Sequence, residues 1–159
     1  MRIFTFLLLS LLLTCNPVNA DQQTDSQTQY QTLLAYYFAA ARTAENDIIE
    51  QFVEAGLPIN SVNEKGYTAL MIATYHGHKQ TVNQLLALGA NACLEDKRGN
   101  TALMAAIFRG EFSIAKTLMK QDCDTEHENK AGQTAEAFAA QFGQQHVLAL
   151  LTQYKKAKQ

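Results

Sequence analysis

The sequence predicts an all-α solenoid of about four helix-turn-helix repeats with short β-hairpin tips. Three observations carry that prediction, and all keep one step of 33 residues. The segment Gly66-Tyr67-Thr68-Ala69-Leu70-Met71-Ile72-Ala73 returns as Gly99-Asn100-Thr101-Ala102-Leu103-Met104-Ala105-Ala106, then in worn form as Gly132-Gln133-Thr134-Ala135-Glu136-Ala137-Phe138-Ala139. Gly77, Gly110 and Gly143 each follow the first glycine of their copy by 11 residues. Phe52, Leu85, Leu118 and Leu151 form an apolar column on the same step. Self-similarity of this kind marks stacked supersecondary units, none of which buries its apolar face alone.

Taken in order, the chain opens with a basic Met1-Arg2, a largely apolar stretch from Ile3 to Leu13, and a small-residue exit at Val18 and Ala20. That pattern predicts a secretory signal peptide over residues 1–20, cleaved after Ala20. Its apolar stretch is too short to remain as a span across a hydrocarbon core about 30 Å thick. Lipoprotein processing at Cys15 is the alternative, although Thr14 fits such leaders poorly. The destination expected is the periplasm or the exterior. Residues 21–29 hold no large apolar group, which predicts a flexible tether.

Residues 30–62 form the first repeat, its opening turn lost. Leu33, Leu34, Tyr37, Phe38 and Ala41 keep helical spacing, and Ile48, Ile49, Phe52 and Val53 make the next stripe, stopped by Gly56 and Pro58. Polar Gln31, Glu45 and Glu50 suit an end unit with one wet side. The second repeat, 63–95, has an inner helix from Ala69 to Tyr75, which the Thr68 hydroxyl can cap, and an outer helix from Lys79 to Leu88. Val82, Leu85 and Leu86 face inward there. The third, 96–128, repeats the pattern with Leu103, Ala106, Ile114, Leu118 and Met119. It leaves through Asp122-Cys123-Asp124 where the previous copy has Gly89-Ala90-Asn91, so the easy left-handed cap is lost, although Asp is among the residues that tolerate that conformation. In the fourth, 129–154, Glu136 replaces Leu70 and Leu103, as expected where a column is no longer buried. Its outer helix, Gln144 to Tyr154, turns Val147, Leu148 and Leu151 inward. Residues 155–159 form a basic tail whose charge complements a helix C-terminus.

Without the leader the chain keeps 12 of its 13 basic residues and all 15 acidic ones, for a net charge of about −3. Nucleic-acid binding needs a basic face, so that class is disfavoured, and no polybasic membrane signal occurs. Cys93 and Cys123 remain. A bond between them requires a three-residue offset to be bridged, and two separate half-buried thiols are the expectation.

The marker segments resemble the ankyrin repeat family, whose 33-residue signature is T-P-L-H-x-A. Thr68-Ala69-Leu70-Met71-Ile72-Ala73 and its copy at Thr101 match it over about residues 30–154, and Gly77-His78 and Gly89-Ala90-Asn91 resemble further family elements. Met71 and Met104 stand at the histidine position, which removes the hydrogen-bond network that the resemblance would imply.

Motifs for chemistry are weak. His76-Gly77-His78 invites a metal ion, but His78 is at an ordinary family position and no cysteine or third histidine is near in sequence. Asp122, Asp124, Glu126 and Glu128 resemble the start of a calcium loop. Its sixth and twelfth positions, however, hold His127 and Gln133 instead of glycine and glutamate. No nucleophile–base pair or phosphate-cradling glycine loop occurs at local spacing, so an enzyme is not expected, nor a cofactor.

The resemblance implies a concave protein-binding face made of hairpin tips and inner helices. Position by position, the tips are Glu64, Lys65 and Tyr67; Lys97, Arg98 and Asn100; Lys130 and Gln133. The helix column is Arg42, Tyr75, Phe108 and Gln141, with His76, Arg109 and Phe142 beside it. Aromatic and arginine side chains are those that dominate binding hot spots. Shielding of the groove floor by Phe108 and Phe142 is the competing role. The reading is a periplasmic scaffold that binds another protein, as an accessory to an exported enzyme such as a catalase. An immunity protein that blocks a toxic effector is the alternative. A metal- or haem-binding accessory using His76 and His78 comes third.

Overall fold

The computed structural model describes residues 19–124 and 126–158, with side chains from residue 25 to residue 157. The expected leader through residue 18, Cys15 included, therefore lies outside the described residues. Eight helices follow in chain order: α1 Asn19–Thr43, α2 Asn46–Glu54, α3 Ala69–Tyr75, α4 Lys79–Ala87, α5 Ala102–Arg109, α6 Phe112–Leu118, α7 Ala135–Gln141 and α8 Gln145–Lys158. They pair as four antiparallel hairpins. The odd-numbered helices stack on one another as an inner layer, and α4, α6 and α8 stack behind them.

Each short inner helix begins at its threonine. The hydroxyls of Thr68, Thr101 and Thr134 accept from the backbone N–H of Met71, Met104 and Ala137, satisfying an amide that the first turn leaves free. Leu85, Leu118 and Leu151 share one interior, while Phe52, on the end repeat, is half-buried against it. Met71 and Met104 fill the histidine position as buried apolar groups. Tyr37 is fully buried. Its hydroxyl donates to the Ile59 carbonyl at 3.1 Å, and burial pushes its pKa up to about 12.

The hairpin tips are smaller than strands: Val62–Thr68 and Glu95–Thr101 each form one isolated antiparallel bridge. A side chain builds each tip. Asn63 Oδ1 accepts from the amides of Lys65 and Tyr67, Asp96 Oδ1 from Arg98 and Asn100, and Asn129 Oδ1 from Ala131 and Gln133. Backbone bonds then join tip to tip, Lys97 N–H to the Lys65 carbonyl at 3.1 Å and Lys130 N–H to the Arg98 carbonyl at 2.9 Å. That approach needs glycine. A Cβ on Gly66 would lie 2.8 Å from the Lys97 nitrogen, and one on Gly99 would lie 3.0 Å from that of Lys130.

Several expectations are corrected. Residues 21–29 are helical rather than a tether. No Pro or Gly interrupts residues 19–43, and extending a helix already nucleated by its packed C-terminal half costs little. Leu33 and Ile48 are exposed, since no other repeat among the described residues covers the outer side of α1 and α2. Asp122 does not take the left-handed turn; the described non-glycine residue with positive φ is Ala44, one period before Gly77. Without a glycine, the third repeat ends its outer helix at Leu118 and leaves through bonds from Gln121 N–H to the Leu118 carbonyl and from Cys123 N–H to the Gln121 carbonyl. That path brings Cys123 to Cys93. The two are disulfide-bonded with their Cα atoms 5.3 Å apart, not separate thiols. The basic tail continues α8 to Lys158. Lys155 pairs with Glu126 at 2.6 Å and Glu136 at 2.7 Å, and these hydrogen bonds, Glu126 first, raise its pKa. Glu136 is thus half-buried and partnered instead of free in water.

Two stability measurements follow from this packing. Gly66→Ala meets both backbone strain and the Lys97 amide and should cost about 2 kcal/mol or more, against about 1 kcal/mol for Gly132→Ala, where strain acts alone. Urea unfolding that ranks them the other way would remove tip-to-tip contact as the reason for the glycine. Replacing Cys93 and Cys123 by serine reopens a loop with a sequence separation of 30 and should lower stability by about 3 kcal/mol. Two free thiols in the non-reduced mass spectrum of the purified protein would contradict the bond itself.

Candidate protein-binding groove

Short inner helices and projecting tips leave a trough along the concave side. Tyr75 and Arg109 end α3 and α5, and His76 follows as the C-cap of α3 before Gly77 reverses the chain. The 33-residue period therefore delivers each of these side chains to the same edge. Tyr75 and Phe108 stack with centroids 6.3 Å apart and planes within 14°. Phe142 meets Phe108 edge-on at 5.0 Å and rests on Phe138 at 5.2 Å. The Arg109 guanidinium sits 5.0 Å over the Tyr75 ring, within cation–π range. The ring row remains open: Tyr75, Phe108 and Phe142 expose 44%, 46% and 38% of their surfaces.

The trough encloses about 770 Å³ and is lined by Arg42, Glu64, Lys65, Tyr67, Tyr75, His76, Arg98, Asn100, Phe108 and Phe142 from the sequence prediction. Arg109 stands at the groove's edge over Tyr75, and the other candidates do not line the trough. Lys97 and Lys130 stand on the tips and spend their amides on the neighbouring tip. Gln133 donates to Gln141, so these two amide groups engage each other. Asn63, Asp96, Met71, Ile72, Thr101, Met104, Ala105 and Phe138 line it as well and were not among the candidates. For Phe138 the signal was present: it falls on the step of Ile72 and Ala105, both groove residues.

The electrostatics are uneven. Asp96 spends its carboxylate inside its own turn, on the amides of Arg98 and Asn100 and the Asn100 side chain. His76 has its pKa lowered, first by desolvation, then by His78, Arg42 and Arg109. Its ring stacks on that of His78 at 6.0 Å, and His78 Nε2 is 2.7 Å from the Arg42 carbonyl, a bond that occupies this nitrogen. A metal or haem taken through this nitrogen would have to displace that bond, whereas the His78 Nδ1 lies outside it. No group of three or more His, Cys, Asp or Glu side chains able to hold a metal ion converges among the described residues. In the acidic turn, Asp124 Oδ1 accepts from the Glu126 amide and Glu126 faces Lys155. Among the described residues, no helix is long and apolar enough to cross a membrane.

Comparison with known proteins agrees with this architecture. The family profile for ankyrin repeats (3 copies) matches residues 5–96 and 80–159. An ankyrin repeat protein of Pseudomonas aeruginosa is 47% identical over 45 residues, which cover 28% of this chain and 26% of that protein. An E3 ubiquitin-protein ligase of Arabidopsis thaliana is 36% identical over 86 residues, covering 54% of this chain and 16% of that protein. The chain thus spans about a quarter of the first relative and about a sixth of the second.

His76 offers a direct reading of the groove's field. Its NMR titration midpoint should lie below the ordinary value of 6.5, and Arg109→Gln should move it upward by removing one of the cations that lower it. Because the folded value is the lower one, the small stability that the neutral ring contributes is present above 6.5 and lost as pH falls toward the folded midpoint. A midpoint unmoved by Arg109→Gln would mean that this guanidinium does not act on the ring.

Proposed function

The chain belongs to the ankyrin repeat family, and from that premise we propose that it is a periplasmic scaffold that binds another protein through its concave groove, as an accessory to an exported enzyme such as a catalase. Ankyrin repeats generally mediate protein–protein interaction, which makes a protein partner the starting point. The observation that carries the reading for this chain is the half-open ring row of Tyr75, Phe108 and Phe142 with Arg109 stacked upon it. Rings on three successive repeats give a large, rigid contact that loses little entropy on binding. Residence outside the cytoplasm is supported by the leader pattern of residues 1–20 and by the Cys93–Cys123 disulfide, since such bonds persist in oxidising compartments.

The test is affinity capture from a periplasmic extract with the wild-type protein and with Tyr75→Ala/Phe108→Ala. Retention of an exported catalase or comparable enzyme by the wild type, with at least a tenfold loss in the double variant at unchanged melting temperature, is the expected result. A toxin in the eluate would favour the immunity role instead. Equal retention by both proteins would remove the groove as the binding face, and a double variant that loses stability to the same degree would return the rings to a shielding role.

A further inference from the structure

We propose that the groove's occupant is an extended, acidic polypeptide segment that carries aromatic or other large apolar side chains at alternate positions. This rests on the protein-binding reading above and adds to it the chemistry of the partner. Six of the 13 Lys and Arg residues of the chain, Arg42, Lys65, Lys97, Arg98, Arg109 and Lys130, lie in the groove or on its tips. The lining of the groove holds two of the 15 acidic residues, Glu64 and Asp96, while Glu128 lies against Gly132 of the third tip and Glu111 against Gly77. Asp96 is committed to its turn, so six cations face three other carboxylates, Glu64, Glu111 and Glu128.

None of the six cations is engaged in an ion pair among the described residues, whose pairs involve Lys155 and His127. Exposed cations on a chain of net charge −2 are ordinarily spread among acids. Here four of them share the row of tips, where the tip-to-tip bonds hold Lys65 next to Lys97 and Arg98 next to Lys130 despite their repulsion, and Arg42 and Arg109 stand in the last turns of α1 and α5. An acidic partner relieves that repulsion, whereas a basic or neutral one does not.

The extended form follows from spacing. Side chains that share one face of an extended chain recur about every 6.6 Å, two residues at about 3.3 Å each. Tyr75 and Phe108 are 6.3 Å apart, so successive same-face side chains can rest against successive rings. The carboxylates between them then reach toward Lys65 and Arg98 on the tips and Arg42 at the groove's N-terminal end. A helix in the groove would instead present neighbours on a different step, three and four residues apart.

The probe is a fluorescein-labelled twelve-residue peptide of alternating Phe and Glu, read by fluorescence anisotropy against the full protein at 50 mM and 500 mM salt. Controls are the same peptide with Lys for Glu, the same with Ser for Phe, and an oligothymidine of similar length. The Phe–Glu peptide should bind at least tenfold tighter than each control and weaken at least fivefold at high salt. Arg98→Glu should reduce its affinity at least tenfold and Arg98→Gln about threefold. Lys79→Glu, at the start of the outer helix α4, should leave it unchanged. Circular dichroism must show each variant folded, with Arg98→Gln retained as the milder case. Equal binding of the Lys peptide or the oligothymidine, or no binding of the Phe–Glu peptide at millimolar concentration, overturns the acidic-segment inference. Partner capture that still depends on Tyr75 and Phe108 would in that event leave the broader scaffold reading standing.

Discussion

Two backbone hydrogen bonds, Lys97 N–H to the Lys65 carbonyl and Lys130 N–H to the Arg98 carbonyl, set the distance from one repeat to the next on the concave side. Apolar packing behind them is non-directional, whereas hydrogen bonds fix both distance and direction. The bonds are available because an Asn or Asp side chain has already satisfied the amides within each tip, and because glycine leaves room for the neighbouring backbone. Once that spacing is set, the ends of α3 and α5 lie side by side. Tyr75 and Phe108 then have little choice but to stack.

The same constraint accounts for the charge pattern. A tip that projects into water accepts long basic side chains without desolvating them, since they stretch outward from a tightly bonded backbone. Positive charge therefore accumulates where the backbone is most rigid. Below it lies an apolar trough whose rings are only partly covered by their neighbours. In the proposed recognition, cations above a rigid apolar floor would divide the labour: the cations would orient an incoming chain, and the rings would hold it.

Much of this was legible in the sequence, because each repeat writes its own copy of the rule. Helix α3 runs over the residues that the period and Thr68 indicate, Leu85, Leu118 and Leu151 share an interior, and Tyr75 meets Phe108. What escaped depends on geometry between copies. The Cys93–Cys123 bond needs the actual path of the third exit loop, which has no glycine to copy the second. Lys155 reads as a tail until α8 is seen to carry it back over Glu126 and Glu136. Gln141 shares a column with Tyr75 and is bonded to Gln133, a pairing that no spacing reveals. Residues 21–29 mislead for another reason: exposed polar side chains say little about a backbone that merely prolongs a helix anchored further on.

Placed between the exit loops of the second and third repeats, the covalent link spans the middle of the stack and neither end. Helices α1 and α2 and helices α7 and α8 are held by non-covalent contacts alone, so thermal opening should start from the two extremities and stall at the stapled centre. Tyr75 and Phe108 sit within that centre, whereas Arg42 and Phe142 belong to the units outside it. A chain bound along the proposed groove would rest on a stapled middle between two unstapled ends, and would then be released from its edges inward.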